Sequence, residues 1–184
     1  MAELPYGGEM PTPIGHALGG VLVGILLPGR AGSSDPPATG LSSPQARLYW
    51  RAAIAACLPD LDFLWGRHNM ETHSIGFAVI VGLAVLAWTR RPWLALASAL
   101  AVGTHVLFDW LGSDDTPPLG VMALWPLSHD FYFANAFVFE AISRRYWLPN
   151  FYTHNLLAVL RELAILLPPV GMAWIVQRRR PRSG

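Results

Sequence analysis

Five apolar runs, at 13–28, 46–58, 74–89, 93–111 and 156–176, limit this chain to helices packed in a largely apolar setting. Most are about 15 to 21 residues long, near the roughly 17 to 25 with which a helix spans a bilayer. Charged residues make up only 14% of the chain and hydrophobic residues 53%, with a mean hydropathy of +0.35, whereas soluble domains carry about 25% charged residues. The expected fold is all-α, a polytopic membrane protein forming one membrane-embedded domain with about five membrane helices. The competing reading is a soluble bundle of buried helices, since several runs are short and hold ionisable groups.

The breaks between the runs have their own signatures. Thr12 and Pro13 form an N-cap followed by a first-turn proline,, and Gly15, Gly19 and Gly20 let another helix come close. Residues 29–45, rich in Gly, Pro and Ser, read as a flexible loop,. Pro59 disfavours helix at Leu58, which places Asp60 and Asp62 on a turn. The short Arg90-Arg91-Pro92 link makes the third and fourth runs an antiparallel hairpin,. Residues 112–155, with Trp125, Phe131, Tyr132, Phe133, Phe137, Phe139, Tyr146 and Trp147, suit an interfacial aromatic segment,, and 177–184 form a basic tail. The opening MAELPYGGEMPTP lacks the basic region and cleavage site of a signal peptide,. A single cysteine, Cys57, excludes an intramolecular disulfide framework and a multi-cysteine zinc knuckle,.

Chemistry concentrates in LPDLDFLWGRHNMETHS, residues 58–74, where Asp60, Asp62, His68, Glu71 and His73 lie between two apolar runs. His105 and Asp109, spaced i, i+4, are about 40° apart around a helix and can reach one cation,. His68 and His73 are five apart and converge only where the chain is irregular, which Gly66 and Asn69 permit. Threading the runs antiparallel brings His16, Asp60, Asp62, His68, His73, His105 and Asp109 into one layer. His16 alone fits a packed histidine bonded to a carbonyl, and His105 with Asp109 alone fits a structural pair. Seven ionisable groups at one depth in an apolar protein instead indicate a functional site.

Imidazoles and carboxylates without thiolates suit zinc foremost, or manganese or iron, and seven candidates exceed the needs of one tetrahedral ion. One or two divalent ions are expected. The same threading gathers Arg30, Arg47, Arg51, Arg90, Arg91, Arg178, Arg179, Arg180 and Arg182 at the end opposite this layer. By the positive-inside rule that end is cytoplasmic, with the N-terminus out and the C-terminus in.

The motifs GHALGG around His16, LPDLDFL around Asp60 and Asp62, HNMETHS, THVLFD around His105 and Asp109, and LWPLS at 124–128 follow one another in an order that resembles the YdjM-like family of membrane-bound, metal-dependent hydrolases. The resemblance covers about residues 13–130 and implies that those seven histidines and aspartates bind metal in a prokaryotic inner membrane. It departs from the family at Asn69-Met70, where Arg-Gly is usual, and at Gly112, where a threonine is common. A more distant likeness in the order of ligands is to the zinc-dependent phospholipases C, all-α enzymes with a multinuclear site.

The function expected is hydrolysis of an ester or phosphoester in a lipid or lipid-linked substrate by a metal-activated water. Asp62 and Glu71 are the carboxylates for acid and base work. Arg67, with Arg144 and Arg145 as the other cations on that side, is expected to receive a lipid phosphate,, and Trp125 and Ser128 are expected to line the mouth. A net charge of +1 gives no sign of a nucleic-acid partner. Two other readings fit the same residues. A metal or proton transporter predicts ionisable groups at several depths, and a non-catalytic membrane protein with a structural metal predicts a closed ligand shell.

Overall fold

The computed structural model describes residues 8–9, 11–27, 43–65, 68–114 and 117–179. The five runs are five α-helices: α1 (Pro13–Leu26), α2 (Pro44–Ala56), α3 (Ile75–Thr89), α4 (Pro92–Leu111) and α5 (Phe151–Arg179). Local chemistry sets their starts. Thr12 Oγ1 accepts the Ile14 and Gly15 amides ahead of α1, Ser43 caps α2, and Ser74 Oγ accepts the Phe77 amide ahead of α3,. Arg90, at φ 55°, closes α3 in the left-handed region and turns the chain into α4.

Among the described residues two helices, rather than five, are long and apolar enough to cross a membrane: α4, with 20 residues, and α5, with 29. The caps trim the other runs. At about 1.5 Å per residue α1 and α3 reach only about 21 and 22 Å against a hydrocarbon core of about 30 Å, and α2 is both short and interrupted by Gln45, Arg47 and Arg51. The last helix starts five residues earlier than its apolar pattern and continues into the basic tail as far as Arg179.

α1 is the hub, packing on α2, α4 and α5, while α3 pairs with α4 and α2 also rests on α4. These contacts rely on small residues: Ala52, Ala55, Ala56 and Ala101 form one buried cluster. A Cβ on Gly20 would sit 2.3 Å from the Ala52 carbonyl oxygen. The outward surface is apolar instead, with Ile75, Val79, Ile80, Leu83 and Trp88 of α3 and Leu156, Leu157, Leu160 and Met172 of α5 exposed. Such a surface suits lipid rather than water.

Residues 112–150 carry no helix among the described residues and fold back over one end of the bundle. They are tied in by a two-residue antiparallel pairing of β1 (Gly8–Glu9) with β2 (Ile142–Ser143) and by Phe139, which is buried against Phe108 and Leu166. Tyr146 and Trp147 point outward. The carbonyls of Ala123 and Trp125 accept the Ile75 and Gly76 amides, satisfying donors that the start of α3 leaves without helical partners. The 29–45 loop falls largely outside the described residues, as do Gly66 and Arg67.

Gly20→Ala is expected to destabilise the protein by about 1 to 3 kcal/mol, because backbone rather than a movable side chain blocks the added methyl. Gly103→Ala, with nothing within 4 Å of the new Cβ, is expected to leave stability unchanged or raise it by up to about 1 kcal/mol through helix propensity. Thermal unfolding of both variants in detergent checks the contrast, and equal melting temperatures would refute it.

Candidate metal centre

Each of four segments brings its ligands to the same end of the bundle. His16 lies one turn into α1, and Asp60 and Asp62 lie on a 3-10 helix, Pro59–Trp65, that continues from α2. His68 and His73 flank an irregular turn in which Asn69 takes φ 65°, and His105 and Asp109 occupy one face of the last turns of α4. The 3-10 turn answers how two aspartates at i, i+2 serve one site: Asp60 faces His73 and His105, and Asp62 faces His68, Thr72 and His73.

Asp109 is the hub of the inner group. Its Oδ1 lies 3.3 Å from His16 Nε2, and its Oδ2 lies 3.0 Å from His105 Nε2 and 3.5 Å from His73 Nε2. Asp60 Oδ1 is 3.7 Å from His105 Nε2 and 3.8 Å from His73 Nε2. His16 and His105 stack with ring centroids 3.7 Å apart, and His73 meets His105 edge-on. All of these side chains except Asp60, which is 19% exposed, are fully buried.

The proton inventory shows that this cluster could hold a cation. His105 Nδ1 is 2.7 Å from the Ala56 carbonyl, which can only accept, so Nδ1 carries the hydrogen,. The Nε2 of the neutral ring therefore aims a lone pair at a carboxylate oxygen. Both nitrogens of His16, Nε2 of His73 and His105, Oδ2 of Asp60 and both oxygens of Asp109 are buried without a well-formed hydrogen bond. The close ion-pair distances include one acceptor facing another, His105 Nε2 at 3.0 Å from Asp109 Oδ2, and nearness of that kind is not a bond. Buried polar atoms are almost always satisfied, and a divalent cation would satisfy this whole set at once. Donors about 2.1 Å from a tetrahedral zinc are about 3.4 Å apart, and the separations of 3.0 and 3.8 Å bracket that value.

Asp62 and His68 form an outer layer. Asp62 Oδ2 accepts from Thr72 Oγ1 at 2.8 Å and faces His73 Nδ1 at 3.1 Å, while its Oδ1 faces His68 Nδ1 at 2.9 Å. A carboxylate on the far nitrogen of a ligating histidine fixes its tautomer and raises its basicity, which is the position Asp62 holds toward His73. His16, His105 and Asp109 make one group whose donor atoms lie within 4.8 Å of one another; Asp60, His73 and His105 make a second, and Asp62, His68 and His73 a third. An ion in the third would need His73 Nδ1, the nitrogen that Asp62 already engages.

Among the described residues the remaining sequence candidates are in none of these donor groups. Glu71 belongs to none of the three groups, and its carbonyl accepts the Ser74 hydroxyl at 2.6 Å. Ser128 bonds Asp130 in an exposed turn. Trp125 lines an apolar groove of about 440 Å³ with Ile75, Val79, Ile80 and Leu127. Arg67 lies outside the described residues. Among the described residues Arg144 is a cation beside the layer: its guanidinium lies 3.9 Å over Phe63, which stacks on His68. Cys57 gives its S–H to the Pro13 carbonyl; burial, then the Asp60 charge, push its pKa up to about 11, so it stays a thiol. Thr72 and the Ala56 carbonyl are partners that pattern reading missed. The adjacency of Thr72 to His73 was a signal for the first, whereas a backbone carbonyl carries none.

Charge in this layer is tightly coupled. Burial disfavours a charged His73, but the Asp60 and Asp62 carboxylates outweigh it and push the imidazole up to about 9. Burial likewise opposes the charge on Asp62, and His68, His73 and Thr72 overcome it and hold the carboxyl well below its usual range. The metal-free protein should therefore gain stability from His73 that is complete below the unfolded value of about 6.5 and lost as pH rises through about 9. The Asp62 contribution is present above about 3.9 and is lost as pH falls through its depressed folded value. A metal takes the place of the His73 proton, so zinc is expected to stabilise increasingly over the same rise from about 6.5 to about 9. Melting temperatures of chelated and zinc-loaded protein across that window check this, and parallel pH curves would refute it.

A model of the YdjM inner membrane protein family matches residues 10–179, which include every donor of the three groups. No curated protein and no solved structure matches the chain. A match over nearly the full length, with two apolar helices long enough to span and a buried His/Asp layer in the matched region, places this chain in the YdjM family of inner membrane proteins.

Proposed function

We propose that this protein is a divalent-metal-dependent hydrolase that cleaves an ester or phosphoester of a lipid or lipid-linked substrate at the outer face of the membrane. The observation that carries the reading is the meeting of three buried imidazole nitrogens with the Asp109 and Asp60 carboxylates, in which His105 Nε2 faces Asp109 as an acceptor and the atoms lack well-formed hydrogen bonds. When bound, a divalent ion, zinc foremost, supplies Lewis-acid chemistry: it acidifies a water and polarises the oxygen of the bond to be cleaved.

The chain's own residues divide the remaining work. His16, His73, His105, Asp60 and Asp109 would hold the cation, and Asp62, at His73 Nδ1, would keep that ring in the ligating tautomer. Asp60 and His68 are the partly exposed members, with side chains 19% and 15% accessible, so the layer opens on their side and substrate meets it there. That opening favours catalysis over a structural metal, which has a closed shell. Phe63, exposed and stacked on His68, borders it, and the Arg144 guanidinium is placed to meet the phosphate of a headgroup,. Arg90 and Arg91 follow the far end of α3, and Arg178 and Arg179 form the last turn of α5, and this supports a cytoplasmic C-terminus.

Elemental analysis of protein purified without chelator is expected to find about one or two equivalents of zinc, manganese or iron, and none in the His73→Ala, Asp109→Ala double variant. Asp62→Asn is expected to lower metal affinity by about 10- to 100-fold. Phospholipid hydrolysis in mixed micelles should vanish in the double variant, and in Arg144→Gln it should fall about tenfold through KM, the loss of one charge-assisted contact. Parent protein that takes up no metal under saturating conditions would sink this function.

A further inference from the structure

Among the described residues α5 lends the donor groups nothing, yet three turns into this apolar helix it carries a fully buried carboxylate, Glu162. A carboxylate inside a membrane-spanning helix is expensive unless it is paired. Thr12 engages both oxygens of Glu162: Oε1 accepts the Thr12 backbone amide and Oε2 accepts the Thr12 hydroxyl, each at 2.5 Å.

Thr12 is the N-cap of α1. While its hydroxyl donates to Glu162, its Oγ1 accepts the Ile14 and Gly15 amides, and its carbonyl accepts the His16 amide at 3.1 Å. The next residue toward the ligand is Gly15, where a Cβ would lie 3.0 Å from Glu162 Oε2. The carboxylate thus lies against the one turn that carries His16, whose two ring nitrogens make no hydrogen bond of their own. That imidazole is steered only by the nearness of Asp109 Oδ1 at 3.3 Å and by its stack on His105, so its place depends also on the backbone that bears it.

We infer that Glu162 is a positioning residue for the metal centre: by gripping Thr12 with both oxygens it sets the first turn of α1 and, through it, the place of His16. The inference rests on the metal-centre reading. It also gives α5 a role that its lack of donors conceals, since the spanning helix is coupled to the cation through a ligand of another helix. An N-cap bond alone would need only the hydroxyl of Thr12; the second helix adds a negative charge at the positive end of α1.

The test uses the full chain in detergent, stripped by chelator and titrated with Co²⁺ and Zn²⁺. Affinity, the Co²⁺ absorption spectrum and the metal-free melting temperature are read together. Glu162→Gln and Thr12→Val are expected to weaken binding by about 10- to 100-fold, as outer-layer changes do, and to alter the Co²⁺ spectrum, while Thr12→Ser retains both. Thr12→Val carries the test if Glu162→Gln does not fold. His16→Ala is the reference. If it weakens binding while Glu162→Gln and Thr12→Val lower only the melting temperature, Glu162 merely holds helices together and the inference is overturned. If His16→Ala binds Co²⁺ as the parent does, or the parent binds none, the metal-centre reading fails and the role of Glu162 falls with it.

Discussion

The buried carboxylate of Asp109 faces imidazole nitrogens from three segments, and at least one of them, His105, is bound by the Ala56 carbonyl to the tautomer that leaves no proton to share. Acceptors held this close in a low-dielectric interior repel one another unless positive charge lies between them. The metal-free protein has one remedy, a proton on His73, and a divalent cation offers a fuller one. Much of the architecture can be understood as the means of holding this unfavourable arrangement together.

Those means are local and repeated. His16 and His73 each sit beside an N-cap, Thr12 and Ser74, so the backbone that bears the ligand is pinned by the same hydrogen bonds that start the helix,. The Ser74 hydroxyl both caps α3 and donates to the Glu71 carbonyl, which closes the turn between the two histidines. α4 contributes its two ligands from a single face and so supplies the rigid reference for the others. Alanine and glycine between α1, α2 and α4 bring backbones close enough for side chains as short as aspartate to meet,.

The outside answers a different solvent. α3 and α5 present leucine, isoleucine, valine and tryptophan outward, while among the described residues only α4 and α5 have the length to cross a bilayer. The shorter helices still gain from an apolar surround, because α1 is enclosed by three neighbours. The 112–150 segment covers the end where the ligands lie, and its carbonyls complete the backbone hydrogen bonds of α3. The spanning frame and the polar layer are therefore one structure, with α5 joined to the layer through Thr12.

The sequence by itself determined the helices, their approximate limits and the gathering of histidines and aspartates at one end. Apolar periodicity, proline and the short Arg90-Arg91-Pro92 link are local properties, and alternating the direction of successive helices is enough to sort their ends. It overstated the spans, because a run of apolar letters does not show where a cap ends the helix or which side chains turn inward. Only the tertiary structure decided which ligands form the inner group and which the outer. Asp60 and Asp62 are alike in sequence, and the 3-10 turn alone separates their directions. Ala56 offers a carbonyl that its side chain does not announce, and Glu162 meets Thr12 from 150 positions away. Distances between segments come from packing, and packing is a property of the whole chain rather than of any stretch within it.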